Sequence, residues 1–177
     1  MQHSLPFSPR PSPAPVRPAR PRRGPTPGSR PDLALAAPAI EAHEVCRGAV
    51  RLLESLGFRT LVEMRLASGR RVDAIGLDGR GRFAVVEVKT SLADLRADDK
   101  WPDYLPYADL FYFALPPGFR LGAVPEHAGI IVADRYAGEI VRASPLVPMA
   151  AARRRSQTLL FAQTASARLY RLAESGL

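Results

Sequence analysis

The stretch Asp109 to Leu115, with Leu-Phe-Tyr-Phe-Ala at its centre, is too apolar to present either side to water. A strand of that kind is covered on both faces, so it belongs to a sheet with packing layers above and below. Phe83 to Val88 is also strongly apolar apart from Glu87, and it is joined to Val72 to Leu77 by Asp78-Gly79-Arg80-Gly81, whose glycines supply the positive φ of a tight hairpin. Ahead of these strands, Val62, Met64 and Leu66 alternate with Glu63 and Arg65, which predicts a half-buried strand over Phe58 to Leu66, followed by the turn residues Ser68 and Gly69. Val45, Ala49, Leu52 and Leu56 recur at helical spacing and Gly57 stops them, which predicts a first helix over about 40 to 56. Ser91 with Asp94 makes a capping box with Asp in place of Glu, opening a short helix near Leu92 that runs to the Trp101-Pro102 break. Gly129 to Ala133 and Glu139 to Ala143 read as a second hairpin about Tyr136-Ala137-Gly138, and a long helix fills roughly Pro148 to Glu174. The order α-β-β-β-α-β-(ββ)-α predicts an α/β (α+β) fold: one mixed sheet with helices on both faces, an added hairpin and a long C-terminal helix. There is no internal repeat.

The charge is unevenly spread. Of a net +8, residues 1–38 carry six arginines against Asp32, together with 11 of the 18 prolines, so +5 belongs to this segment and +3 to residues 39–177. A segment so poor in apolar surface is expected to be a disordered basic arm ahead of a single folded domain over 39–177. The arm reads equally as a non-specific DNA tether or as a solubilising extension. A basic chain of pI near 10.5 favours a polyanionic partner, and DNA fits, because Lys and Arg replace condensed counterions on phosphates. An acidic membrane surface would fit the same charge, but no basic amphipathic helix with large apolar anchors is evident, and no apolar run approaches the roughly 18 residues needed to span a bilayer. Without an apolar leader, and with a lone Cys46 in an apolar helical pattern, the expected setting is the reducing cytoplasm.

Across the hairpin with loop Gly79-Arg80-Gly81, paired residues have numbers that sum to 160, which sets Asp73 opposite Glu87. Residues two apart share a strand face, so Lys89 stands beside Glu87 while Val86 and Val88 point the other way. Two carboxylates this close repel unless a divalent cation relieves them, and Mg²⁺ characteristically takes one or two protein carboxylates with phosphate and water. Such an ion polarises a phosphoryl oxygen and acidifies water, and Lys89 beside it can orient or help deprotonate that water and offset charge in the transition state, so phosphodiester hydrolysis is the natural chemistry. An ordinary cross-strand ion pair on a solvated face is the competing reading. It is weakened by the apolar strand that Glu87 and Lys89 terminate, and by the Asp at the matching position next door.

Asp73, then Glu87-Val88-Lys89 at the end of an apolar strand, in α-β-β-β-α-β order, resembles the PD-(D/E)xK nuclease superfamily. More closely, Arg71-Val72-Asp73, Val86-Glu87-Val88-Lys89-Thr90-Ser91, Lys100-Trp101-Pro102-Asp103-Tyr104 and Phe111-Tyr112-Phe113-Ala114 resemble the MmcB family of bacterial DNA-repair proteins, over about 40 to 175. The resemblance implies a restriction-endonuclease-like fold and a metal-dependent DNA endonuclease in damage repair. It implies Asp73 and Glu87 as ligands of Mg²⁺ or Mn²⁺, and Lys89 as the catalytic lysine. Val72 replaces the proline of the superfamily's name. Many members carry a further acid on the first helix; Glu41 and Glu44 are both candidates, and either also serves as a solvated acid at the helix N-terminus.

Lys100, Trp101 and Tyr104, with Tyr107, combine a cation with flat rings just after the catalytic strand, suiting nucleic-acid contact, although Trp101 and Tyr104 serve equally as core anchors. Arg153 and Arg154, with Arg155 at the start of the last helix and Arg168 and Arg171 near its end, could follow a phosphate backbone or form a solvated face. His43, His127 and Cys46 have no zinc-ligand spacing. The competing function is a non-catalytic DNA-binding or adaptor protein in repair. By analogy with the fold a homodimer is open, as is a repair-protein partner; no membrane partner is expected.

Overall fold

The computed structural model describes residues 40–176, so the basic arm expected over 1–38 lies outside the described residues. The elements follow the predicted order: α1 (Ala42–Ser55), β1 (Arg59–Arg65), β2 (Arg71–Leu77), β3 (Phe83–Val88), α2 (Leu92–Ala97), a 3-10 helix (Trp101–Tyr107), β4 (Leu110–Leu115), β5 (Gly129–Ala133), β6 (Gly138–Arg142) and α3 (Ala151–Glu174). A short 3-10 turn, Leu121–Ala123, lies in the loop before β5. The six strands form one sheet in the order β1-β2-β3-β4-β5-β6. Pairing is antiparallel through β1, β2 and β3, parallel from β3 to β5, and antiparallel again between β5 and β6.

Two apolar layers cover the sheet. On one face Val45, Ala49 and Leu53 of α1 pack on Ala74, Val86, Ala114 and Ile131. On the other, Leu95 of α2, Tyr104 and Phe161 of α3 join Ile75, Phe83, Val85 and Phe113. All six residues of β3 are buried, as the apolar runs require of central strands. The buried stripe of α1 passes through Leu53 rather than the expected Leu52 and Leu56; Leu56 caps the helix and is exposed. Gly57 closes α1 at φ 87°, with the Phe58 and Gly57 amides bonded back to the Leu53 and Glu54 carbonyls, a paired turn that needs a left-handed residue. Gly48 lets α1 seat on the β5–β6 turn, because a Cβ there would lie 2.0 Å from the Asp134 carbonyl oxygen.

Two further expectations are revised. Met64 and Leu66 are buried, but Val62 is 43% exposed, because Glu63 takes a left-handed φ of 48° and interrupts the alternation of β1. The helix opened by Ser91, whose Oγ accepts from the Asp94 amide at 3.1 Å, ends at Ala97. The chain past it re-forms as the 3-10 helix, which carries Pro102 in its first turn, where a missing N–H is harmless. Among the described residues no helix is long and apolar enough to cross a membrane.

Candidate active site

The β2–β3 pairs Leu77 with Phe83, Gly76 with Ala84, Ile75 with Val85 and Ala74 with Val86 all sum to 160, the register that sets Asp73 across from Glu87. Beyond Ala74 and Val86 the ladder gives way to a side chain: Asp73 Oδ2 accepts from the Val88 amide at 2.7 Å. On the other side of β3 the parallel ladder continues to the end, with the Lys89 amide donating to the Ala114 carbonyl. The strands therefore part on one side only, and Asp73, Glu87 and Lys89 meet where they part.

These groups are recessed. Glu87 is 8% and Lys89 6% exposed, at the base of a cleft of about 710 Å³ whose walls come from α1 and the ends of β1 to β3. Burial, reinforced by the negative charge of Asp73 and only partly offset by Lys89, pushes the Glu87 carboxyl up to about 7. Burial also raises Asp73, against the Val88 amide and Lys89. Lys89 Nζ lies 3.2 Å from Glu87 Oε1, 2.7 Å from Asp98 Oδ2 and 3.8 Å from Asp94 Oδ1. Burial alone would lower the ammonium, but Asp98 and Glu87 outweigh it and hold it above the usual lysine range.

Glu87 Oε2 is buried with no hydrogen-bond partner among the described residues. A buried, unpartnered carboxylate oxygen beside a second carboxylate is a costly arrangement for a protein alone and a suitable one for a hard cation. The described residues hold no group of three or more His, Cys, Asp or Glu able to bind a metal, so an ion here would rest on Asp73 and Glu87 and take its remaining ligands from water or substrate.

The other anticipated residues divide. Lys100 and Tyr104 line a second depression of about 280 Å³, shared with Glu87, Lys89 and Asp98. Trp101 is turned into the core, stacked on Phe111 at 5.7 Å and against His127 at 6.4 Å. Tyr104 is 6% exposed, stacks on Phe111 and donates to the Arg71 carbonyl, so its ring is an anchor and only its edge reaches the depression. Arg153 lies exposed over the Tyr107 ring at 5.3 Å. Arg154 is committed elsewhere, paired with the buried carboxylate of Asp109 (Nη1 to Oδ2 2.7 Å). Glu41 and Glu44 line neither cavity: Glu41 is the exposed N-cap residue of α1, and Glu44 accepts from its amide and faces Arg135. The α1 residues that do line the main cleft include His43, Cys46, Arg47 and Val50, and the acid that joins them is Glu63. Burial first, and then Asp73, raises the Cys46 thiol to about 11, which leaves it a poor nucleophile.

Fold and site together define a mixed α/β protein whose ionisable groups are gathered where two central strands part. A family model described as DNA repair protein MmcB-like matches residues 33–176, and the chain belongs to that family. Among solved structures, the SPO1766 protein of unknown function from Silicibacter pomeroyi is 37% identical, with a TM-score of 0.73 over 76% of this chain and 92% of that one. No curated protein matches the chain.

Proposed function

We propose that this protein is a metal-dependent DNA endonuclease of damage repair, with the PD-(D/E)xK arrangement of two carboxylates and a lysine. Membership of a DNA-repair family supports the setting. The observation that carries the chemistry is the meeting of Asp73 and Glu87 in one cleft, with Glu87 Oε2 buried and unpartnered beside Lys89. Asp73 and Glu87 would hold Mg²⁺ or Mn²⁺, which when bound supplies a Lewis acid for a phosphoryl oxygen and acidifies water. Lys89 donates to a non-bridging oxygen of the scissile phosphate and offsets the charge that grows there in the transition state. Asp73, by holding the Val88 amide, keeps β3 aligned so that Glu87 and Lys89 enter the same space. The partner in this reading is DNA in the bacterial cytoplasm, alone or with a second copy or a repair protein.

The test is cleavage of a panel of branched, damaged and single-stranded DNAs in Mg²⁺ and in Mn²⁺, with wild type beside Asp73→Asn and Lys89→Ala. Asparagine keeps an acceptor for the Val88 amide, so loss of cutting in that variant reports the carboxylate charge rather than the strand junction. Metal-dependent cutting abolished in both variants supports the nuclease. A second reading, a non-catalytic DNA-binding or adaptor protein, is favoured by the ion pairs that hold Lys89 between Asp98 and Glu87. DNA binding with no cutting in either metal would select it.

A further inference from the structure

The main cleft and the smaller depression both reach Glu87 and Lys89, so the two cavities adjoin at the buried carboxylate and the ammonium. The main cleft is two-sided. Val50, Val62 and Val88 make an apolar wall, and His43 and Arg47 stand on the α1 rim near the acids. Val62 is presented to the cleft by the left-handed turn of the chain at Glu63. Each cavity carries a cation, Arg47 in the main cleft and Lys100 in the depression, and neither side chain has an acidic partner among the described residues.

A phosphate on the outside of a stacked duplex stays at the protein surface, whereas Glu87 and Lys89 are at most 8% exposed and lie at the cleft floor. A strand that bends inward with one base out of the stack brings its phosphate down to them. A volume of about 710 Å³ lies within the range that encloses small organic ligands and has room for an unstacked nucleotide. We propose that these adjoining cavities bind a single, unpaired DNA strand, with one extruded nucleotide against the wall of Val50, Val62 and Val88 and the flanking phosphates held by Arg47 and Lys100. A duplex would enter the cleft only where a flap, gap or lesion exposes such a nucleotide, and would otherwise bind weakly outside it. This substrate class rests on the nuclease reading for which phosphate is cut, but the strand preference is a property of binding.

The experiment is therefore done on binding, with the full chain in EDTA at near-physiological salt. The probes are fluorescein-labelled twelve-nucleotide oligothymidylate and a blunt twelve-base-pair duplex. Wild type is expected to bind the single strand at least tenfold more tightly than the duplex. Arg47→Ala, at an exposed position, should weaken single-strand binding about tenfold and leave duplex binding within a factor of two. Val50→Trp, which fills the cleft without altering charge, should likewise change only single-strand affinity. Equal affinity of wild type for the two probes, or a ratio unmoved by both variants, overturns the proposal. Either result holds whether or not the protein cuts DNA, so failure here and failure of the nuclease reading are told apart.

Discussion

Asp98 is the residue that sequence pattern did not single out and that most alters the description of the site. It sits at the C-terminal end of α2, outside any strand, yet it makes the shortest contact to Lys89, 2.7 Å. Burial works against its charge, but Lys89 and the Lys100 amide at 2.9 Å outweigh it and hold the carboxyl below the ordinary aspartate range. Asp98→Asn should leave Lys89 held by Glu87 and the more distant Asp94 and destabilise the domain by about 2 kcal/mol, the scale of a polar contact to a charged group. Urea unfolding at pH 7 checks this; an unchanged midpoint would mean that the contact contributes nothing net. Asp73→Asn, by contrast, keeps the strand junction and should change the unfolding free energy by less than about 1 kcal/mol.

Among elements, α3 is fastened to the sheet in part by one buried carboxylate, beside the packing of Phe161 and the bonds from Arg168 to the Val62 and Glu63 carbonyls. Asp109 accepts from the Phe83 amide at 2.8 Å and the Met149 amide at 2.9 Å, and pairs with Arg154, so a single side chain ties β3, the α3 approach and α3 together. Burial opposes its charge, but Arg154 and the two amides hold its carboxyl below the usual range. Its folded value being depressed, its contribution is complete above the ordinary Asp value near 4 and is lost as pH falls through the folded one. Asp109→Asn should therefore cost about 3 kcal/mol at pH 7, with the gap to wild type narrowing at pH 3. At the other face, Gly48→Ala should destabilise by about 2 kcal/mol despite the better helix propensity of alanine, because the new methyl meets backbone oxygens of the β5–β6 turn. Thermal melts read the sign directly.

The elements themselves were legible because their signals are local. Turn glycines, the Ser91 cap and the apolar runs placed the strands and α2, and the hairpin arithmetic placed Asp73 against Glu87. What was not legible depends on contacts far apart in the chain. Arg154 reads as one of three consecutive arginines until Asp109, 45 residues earlier, is folded against it. Trp101 is equally a stacking platform and an anchor until Phe111 and His127 are seen beneath it. The first-helix acids Glu41 and Glu44 were candidates through the family resemblance, and the docking of α1 instead brings Arg47 and His43 to the cleft. A left-handed glutamate at position 63 has no sequence signature, yet it decides what Val62 faces.

At the scale of the whole molecule, the one-sided parting of β3 from its neighbours makes the two walls of the site unequal in stiffness. The wall built by β4 is hydrogen-bonded up to Lys89, whereas the wall built by the β1–β2 hairpin is joined at its end by one carboxylate. Amide exchange should register the difference: Val88 and the amides of β1 around Glu63 should exchange faster than Lys89, and Asp73→Ala should speed Val88 further while leaving Lys89 protected. The asymmetry leaves the wall that spaces Glu87 and Lys89 as the firmer of the two. On the proposed nuclease reading, substrates of different girth would then meet the same chemistry.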